Sequence, residues 1–306
     1  MKLLPHYPDS KKSTEPKIVT WRENHISDSL FYSYRSTEYN RQTFPARMHY
    51  HDYYELVIFS EGDIHYICES EVYPMQYGDI ILIPPKKLHM SMMNSETTRY
   101  KRHVFYFYPD AFDSFGCSAL TNFLDQNQDQ YLLTPLDKKD RQELFSLLTK
   151  LEEALKSEEK HLDHALALAY ILHIFYIFNK RKFKSHRGKQ RLPDNVTEIK
   201  LYLDNHFQEI HSVAQVATHF FYSREYVSRL FKQYFNTTVA DYIKIRRVAY
   251  CQALISQGIP LSEVCFQAGF DNLTTFIRAF KAVVGMAPSK YRKLLLEEQD
   301  KNAETI

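Results

Sequence analysis

The last third of the chain contains a repeat, and this repeat constrains the fold more than any other feature. The segment FYSREYVSRLFKQYFNTTVADYI recurs as FDNLTTFIRAFKAVVGMAPSKYR at a spacing of 49 residues. The two copies align Phe221 with Phe270, Ser223 with Asn272, Arg229 with Arg278, Phe231 with Phe280, Lys232 with Lys281 and Tyr242 with Tyr291. VAQVATHF precedes the first copy and LSEVCFQAGF the second. A short helix, a tight turn and a second helix opened by a capping residue form a helix-turn-helix, so the repeat predicts two in series.

The charge of the chain is unevenly distributed. Residues 181–293 carry 18 lysines and arginines against 8 acidic residues, whereas residues 1–180 carry 20 against 25. The last 13 residues carry 1 against 4. With 306 residues the chain is long enough for two domains. A basic C-terminal domain beside an acidic N-terminal one is typical of a DNA-binding module joined to a domain with another role.

Composition argues against several other classes of protein. Glycine is scarce, with 7 residues, and neither a GxGxxG nor a GKS/GKT element occurs. We expect no membrane span, because no run of 18 apolar residues exists, and no signal peptide, because MKLLPHYPDSKK is polar after its fourth residue. The cysteines form no CxxC pair, which favours reduced thiols in a cytoplasmic protein. They are Cys68, Cys117, Cys251 and Cys265.

The first half of the chain changes from strand patterns to helix patterns. Residues 18–108 contain short runs rich in Ile, Val, Tyr and Phe, such as YELVIFSEG and DIILIPP, which predict a sandwich or barrel. Residues 137–180 repeat apolar side chains at helical spacing and predict two helices. Their broad apolar stripe must be buried against the barrel or against a second subunit, and both alternatives remain open. The basic stretch 181–194 is taken as the linker.

From residue 195 onward the pattern is helical. Ser212, Ser223 and Asn272 are predicted N-caps, and Pro288 is placed in the first turn of a terminal helix. A helix from about Val239 to Gln257 connects the two motifs and is roughly 30 Å long. That length is close to the ~34 Å of one B-DNA turn, so the two recognition helices are expected in successive major grooves.

Removing the positions that must face the core leaves the predicted DNA-binding residues. On the first recognition helix these are Arg224, Glu225, Ser228, Arg229 and Lys232. On the second they are Leu273, Thr274, Ile277, Arg278 and Lys281. Equivalent arginines can bind guanine or phosphate, whereas apolar side chains can contact only thymine methyls. Alternatives are a protein-binding helical bundle, lysines that interact with helix C-termini, and buried structural salt bridges formed by Arg246 and Arg247.

Residues 195–293 resemble the DNA-binding domain of the AraC/XylS family of transcriptional regulators. The resemblance is carried by SREYVSRLFK at 223–232, AGF at 268–270, RAFK at 278–281 and VGMAPSKYR at 284–292. Asn236 stands where the family usually has glycine, Cys265 where it has alanine, and Ile277 where it has a polar residue. The resemblance implies a transcriptional activator, with duplex DNA, RNA polymerase and a second copy of the chain as partners.

Two N-terminal stretches resemble the cupin β-barrel. MHYHDYYELVIFSEG has the HxHx3Ex6G spacing, and YGDIILIPPKKLH supplies a later histidine, with Lys86 where a glycine is expected. In cupin enzymes such side chains bind one metal ion, which would here be held by His49, His51, Glu55 and His89. AraC-type sensors keep the pattern without metal, so we expect no metal and no cofactor, and instead a small effector such as a sugar. The expected effector-binding residues are Trp21, Arg47, His49, His51, Tyr53, Glu55, Tyr66 and His89.

Together these features predict an α+β protein of two domains, a cupin-like β-barrel with dimerisation helices followed by an all-α domain with two helix-turn-helix motifs. The boundaries are a flexible arm 1–17, an effector-binding barrel 18–136, dimerisation helices 137–180, a linker 181–194, a DNA-binding domain 195–296 and an acidic tail 297–306. The predicted function is an effector-responsive regulator and not an enzyme. The alternatives are a metal-dependent cupin enzyme with a DNA-binding domain, and a regulator without any small ligand.

Overall fold

The computed structural model describes residues 17–44, 48–69, 71–124, 132–134, 136–156, 160–180 and 190–303. Of the described residues, 17–44 and 51–190 belong to one compact unit, and 191–303 together with 48–50 belong to the other. The first unit contains the strands and two long helices, and the second is helical. The predicted arm lies outside the described residues except for Lys17, as does most of the predicted linker.

The strands of the first unit form two antiparallel sheets. In the six-stranded sheet the order is β1-β2-β8-β3-β6-β9, and in the four-stranded sheet it is β10-β5-β4-β7. The bounds are β1 Lys17–Ser27, β2 Leu30–Asn40, β3 Tyr54–Glu61, β4 Ile64–Cys68, β5 Glu71–Pro74, β6 Ile80–Ile83, β7 His89–Met93, β8 Thr97–Phe107, β9 Leu132–Thr134 and β10 Gln190–Arg191.

The two sheets do not close into the predicted barrel. Among the described residues, the hydrogen-bonded order ends at β1 and β9 in one sheet and at β10 and β7 in the other. The chain passes from β3 to β4 through Gly62, whose φ of 135° is accessible mainly to glycine. The β-domain was therefore predicted correctly as a fold of many short strands, but these strands form two sheets and not a closed barrel. Closure depends on pairings between distant segments, which no local pattern encodes.

Strand alternation gives the six-stranded sheet two different faces. Phe105 and Phe107 on β8 contact Phe175 of a covering helix, with ring centroids 5.5 and 5.1 Å apart. The intervening residue Tyr106 is paired in register with Glu55 on β3. Because successive side chains point to opposite faces, Glu55 belongs to the face away from that helix.

Two helices cover the apolar face of this sheet. They are α1, Lys138–Ala154, and α2, Lys160–Lys180, and they share one core with strands β2, β3, β6 and β8. Asp137 caps α1 by accepting from the Asp140 amide at 2.9 Å. Short 3₁₀ turns at Asp113–Phe115 and Ser118–Leu124 precede these helices. The predicted helical stretch 137–180 therefore packs largely within its own unit.

The second unit consists of seven helices among the described residues. They are α3 Asp194–His206, α4 Val213–His219, α5 Arg224–Phe235, α6 Val239–Ser256, α7 Leu261–Gln267, α8 Leu273–Val284 and α9 Pro288–Ala303. Helix α6 has 18 residues and is therefore about 27 Å long. Helix α9 continues into the predicted acidic tail as far as Ala303.

Two further observations concern the whole described chain. All four cysteines carry free thiols. Among the described helices, none combines the length and the apolar character needed to cross a lipid bilayer.

Candidate nucleic-acid interface and sensor site

Side-chain caps open both recognition helices of the second unit and also the helix that precedes the first of them. Ser212 accepts from the Gln215 amide, and the Gln215 side chain accepts from the Ser212 amide, which forms a capping box at the start of α4. The Ser223 hydroxyl accepts from the Tyr226 amide at 3.1 Å to open α5. Asn272 accepts from the Thr275 amide at 2.9 Å to open α8. These are the predicted caps, in the predicted places.

The cores beneath the two recognition helices are also equivalent. Phe231 on α5 meets Tyr242 edge-on with ring centroids 5.5 Å apart, and Phe280 on α8 meets Tyr291 at 5.5 Å. All four rings are buried. Both recognition helices end in a left-handed residue, Asn236 with φ 45° and Gly285 with φ 83°. Asparagine tolerates this conformation, which explains how the family's glycine is replaced in the first copy.

The turns between the paired helices differ in length by one residue. The amide of Tyr222 donates to the Ala217 carbonyl, and the amide of Phe270 donates to the Cys265 carbonyl, so the structural spacing here is 48 residues. The alignment of Phe221 with Phe270 is therefore wrong. Phe221 matches Gly269, since both are left-handed with φ 55° and 82°. Asp271 is the additional residue in the second turn, and it restores the spacing of 49 at the caps.

The glycine in the second turn is required by a close contact. A Cβ on Gly269 would lie 2.2 Å from the carbonyl oxygen of Gln208. The side-chain amide of Gln208 donates to the Gln267 carbonyl at 3.0 Å, which holds the segment in place. The second turn is thus fixed to the segment after α3, whereas Phe221 at the matching position is 96% exposed.

The ten predicted DNA-binding side chains are all exposed on one recognition helix or the other. The Arg229 guanidinium lies 5.5 Å from the Tyr226 ring centroid, an arrangement that orients its fork without burying it. The Lys232 ammonium donates to the Asn236 carbonyl at 3.4 Å, which is the helix-end interaction considered as its alternative role. Leu273 and Ile277 expose apolar surface on α8, with relative exposures of 43% and 45%.

Two arginines of the spacer helix α6 have structural roles. The Arg247 guanidinium donates to the backbone carbonyls of Phe207, Gln208 and Ile210 at 2.9, 3.2 and 3.0 Å. Arg246 lies 3.1 Å from Asp204, which also forms a 2.6 Å ion pair with Lys200. These contacts hold α3 and the segment after it against α6. Arg246 forms a structural salt bridge, as the alternative to DNA contact predicted, whereas Arg247 has its structural role through backbone carbonyls.

In the first unit, two histidines converge on one buried carboxylate. The Nε2 atoms of His51 and His89 lie 3.0 and 3.2 Å from the same oxygen of Glu55. Each ring places its other nitrogen against a backbone carbonyl, His51 Nδ1 on Tyr53 at 2.7 Å and His89 Nδ1 on Lys87 at 2.9 Å. All three side chains are buried. Lys86, next to this cluster, has φ 62°, which accounts for the glycine expected at its position.

The backbone partners show which ring nitrogens donate to them. A carbonyl only accepts, so both Nδ1 atoms carry hydrogen. Burial lowers the pKa of His51. Burial acts to raise the pKa of Glu55, but hydrogen bonds from His51 and His89 hold that pKa well below its usual range. A ring that donates to Glu55 in this way carries a proton on Nε2 as well.

The space between the two sheets contains further polar side chains. The Tyr66 hydroxyl on β4 lies 2.6 Å from the Tyr100 hydroxyl on β8, so the two sheets face each other here. The Arg102 guanidinium lies 4.1 Å from the Tyr100 ring centroid. Tyr53 stacks on His51 with ring centroids 4.2 Å apart. A buried interior with hydroxyls, imidazoles and a guanidinium is suited to a small polar ligand.

Comparison with known proteins assigns both units. Residues 32–175 match the model of the AraC-like ligand binding domain, and residues 216–294 match that of a helix-turn-helix domain. The chain belongs to the AraC family of transcriptional regulators. It is a DNA-binding regulator with a ligand-binding domain.

Three relatives illustrate the similarity of this AraC-family chain. The "Uncharacterized HTH-type transcriptional regulator YfiF" of Bacillus subtilis is 23% identical over 81% of this chain and 79% of the relative. The "HTH-type transcriptional activator RhaS" of Enterobacter sp. is 23% identical over 80% of this chain and 87% of the relative. The "Arabinose operon regulatory protein" of Salmonella typhimurium is 24% identical over 78% and 82% of the two chains.

The expected effector residues of the AraC-family sensor are only partly brought together. His51, Tyr53, Glu55 and His89 form one cluster, and Tyr66 lies between the sheets. The candidate metal ligands His49, Glu55 and His89 each offer one ligand atom, and these atoms lie within 4.8 Å of one another. Arg47 and the side chain of Trp21 lie outside the described residues.

The sequence analysis missed polar residues that share the interior face of the sheet. Arg35 on β2 is paired in register with Arg102 on β8, and Thr37 with Tyr100. Arg35 also forms a 2.7 Å ion pair with Glu23 on β1. The alternation of side chains along a strand places residues 33, 35 and 37 on one face and could have grouped them. Alternation does not reveal which face of the sheet is enclosed.

Proposed function

We propose that this chain is a transcriptional activator that binds duplex DNA through both helix-turn-helix motifs in response to a small carbohydrate. The observation that supports DNA binding most strongly is the exposure of all ten predicted side chains on two recognition helices with equivalent caps and cores. Arg229 and Arg278 are the proposed base readers, and Ser228, Thr274, Lys232 and Lys281 the proposed supporting contacts. Arg224, Glu225, Leu273 and Ile277 complete the proposed surface.

The polar interior of the sensor supports the effector part of the proposal. His51, Glu55 and His89 can exchange their shared hydrogen bonds for hydroxyls of a ligand, and Tyr53 and Tyr66 lie near enough to extend the same site. The names of two relatives, a transcriptional activator and an arabinose operon regulatory protein, agree with activation and with a sugar. An effector changes DNA binding only through different affinities for two arrangements of the protein.

A thermal-shift screen of monosaccharides tests the effector proposal. A true effector should raise the melting temperature of the wild-type chain and change its affinity for DNA. Tyr66→Phe removes one buried hydroxyl and should reduce the thermal shift without preventing folding. A screen in which no sugar stabilises the protein would favour a regulator that needs no small ligand.

The partners proposed for this function are a second copy of the chain and RNA polymerase, in the cytoplasm and without enzymatic activity. Leu166 and Tyr176 expose 43% and 51% of their surface on α2 and are the proposed dimer contacts. Leu166→Glu with Tyr176→Glu should produce monomers in sedimentation velocity. Leu201→Glu changes a 50%-exposed leucine on α3 and serves as the control. Unchanged sedimentation of the double variant would remove these helices as the dimer contact.

A second candidate is a sensor that holds a metal ion. It is favoured by the ligand atoms of His49, Glu55 and His89, which lie within 4.8 Å of one another in an arrangement that suits a cation. His49, Glu55 and His89 would supply the ligands, and imidazole with carboxylate suits Fe, Mn, Ni or Zn. Elemental analysis of the purified chain should find stoichiometric metal that is lost in His89→Ala. Metal-free protein that still responds to an effector would exclude this candidate and the cupin-enzyme alternative with it.

A further inference from the structure

Phe221 occupies a position that an aromatic residue rarely takes. It lies in the turn between α4 and α5 with φ 55°, in the left-handed region, and 96% of its surface is exposed. A bulky side chain in this region carries strain of the kind found at functional sites. The matching residue in the second motif is Gly269, the residue type for which this conformation has no such cost.

The fold of the second unit does not account for the phenylalanine. Neighbouring rings form the packed part of the turn, with Phe220 and Tyr222 at 6.3 Å and Tyr222 and Tyr226 at 4.8 Å between centroids. The amide of Phe221 donates to the Thr218 carbonyl, which a glycine would also do. An exposed ring adds almost nothing to the core. Packing within the described residues therefore does not offset the backbone strain of Phe221.

The position of Phe221 indicates what it contacts. Ser223, two residues later, caps the recognition helix α5, and Arg224 and Arg229 are exposed on that helix. DNA is approached by the N-terminal end of a recognition helix, where free amides and the helix dipole favour phosphate. A side chain that extends from the preceding turn therefore lies at the edge of the same groove.

We infer that Phe221 is a DNA contact whose ring packs on the deoxyribose backbone beside the major groove bound by α5. The inference rests on the proposed DNA-binding function and adds an apolar, sequence-independent contact to it. The contact distinguishes the first motif from the second, where Gly269 is held against Gln208 and carries no side chain. Because the contact is not ionic, it contributes to affinity without changing the salt dependence.

The test compares four full-length proteins: wild type, Phe221→Gly, Phe221→Tyr and Phe266→Ala. Binding is measured on two unrelated duplexes of about 40 base pairs, long enough for both motifs, over a range of salt concentrations. Phe221→Gly should bind both duplexes about tenfold more weakly, as expected for loss of a buried ring, with the salt slope of the wild type. Its melting temperature should be about 2 to 5 °C higher, because glycine removes the left-handed strain.

The two other variants separate the ring from general surface effects. Phe221→Tyr keeps the ring and should bind like the wild type. Phe266→Ala removes a 63%-exposed ring from α7 and should also leave binding unchanged. Wild-type affinity in Phe221→Gly, or a loss of both affinity and melting temperature, would overturn the inference. Failure of the wild type itself to bind either duplex at low salt would instead reject the proposed function.

Discussion

Arg229 and Arg278 hold equivalent positions on two helices that share caps and core contacts, yet their surroundings differ. Arg229 lies over the Tyr226 ring, whereas the residue three positions before Arg278 is Thr275, which has no ring. A guanidinium can bind guanine through two parallel hydrogen bonds or bind a phosphate, and only the first gives sequence discrimination. Because Arg229 is oriented by stacking, we expect it to read a base.

Arg229→Ala is expected to cost ~1–3 kcal/mol at the preferred site and to relax the preference at one base pair. Lys293→Ala is the matched control, since it removes a positive charge from the same unit at an exposed site that pairs with Glu297 at 3.7 Å. Competition binding with single-base variants of the site measures both quantities. A uniform loss on every sequence would assign Arg229 to phosphate and contradict base reading.

Local chemistry explains which residues were predicted correctly from sequence. Ser212, Ser223 and Asn272 were placed as caps because a capping side chain interacts with amides three residues away. Phe221 was misaligned because a residue inserted in one turn leaves the flanking repeat unchanged. Barrel closure, and the pairing of Arg35 with Arg102, depend on contacts between strands far apart in the chain, which residue patterns do not specify.

The tight turn of the second motif shows how an element is fixed by one glycine. Gly269 combines a left-handed backbone with contact to the Gln208 carbonyl, whereas Gly258 is left-handed with open space around it. Gly258→Ala therefore measures the free-energy cost of the left-handed backbone alone, about 1–2 kcal/mol. Gly269→Ala should lose at least about 1 kcal/mol more, because a methyl group cannot fit against backbone. Thermal unfolding followed by circular dichroism checks this, and equal losses would contradict the close contact.

Helix α1 is joined to the six-stranded sheet through a buried polar group. The Tyr32 hydroxyl and His103 Nδ1 are hydrogen-bonded at 2.8 Å, and Glu152 of α1 lies 3.5 Å from the same nitrogen. The pKa of His103 is lowered to about 3, mainly by burial and secondly by the positive charge of Lys101. The native state therefore holds His103 neutral where the unfolded chain binds a proton.

This arrangement predicts acid-sensitive stability. With a depressed pKa, His103 contributes stability that is present above pH ~6.5 and is lost as pH falls below it, by about 1.4 kcal/mol per pH unit once the unfolded residue is protonated. Urea unfolding between about pH 7.5 and 5 should show this decline. His103→Gln can still hydrogen-bond to Tyr32, and it should reduce the slope of unfolding free energy against pH by the equivalent of about one proton. An unchanged slope in that variant would show that His103 does not cause it.

The whole molecule combines an acidic sensor unit with a helical unit that carries two copies of one reading element. The copies were recognised from the repeat, and their caps, left-handed helix ends and aromatic cores agree in the structure. Helix α6, about 27 Å long, separates them by somewhat less than the ~34 Å of a B-DNA turn. The central claim is that both copies contact one duplex at the same time.

Hydroxyl-radical footprinting of the wild-type chain on a duplex selected from a random pool tests that claim most directly. Two protected patches on one face of the duplex, centred about 10 base pairs apart, are expected if α5 and α8 occupy successive major grooves. A single protected patch, or a pool from which the protein retains no duplex at low salt, would contradict the account.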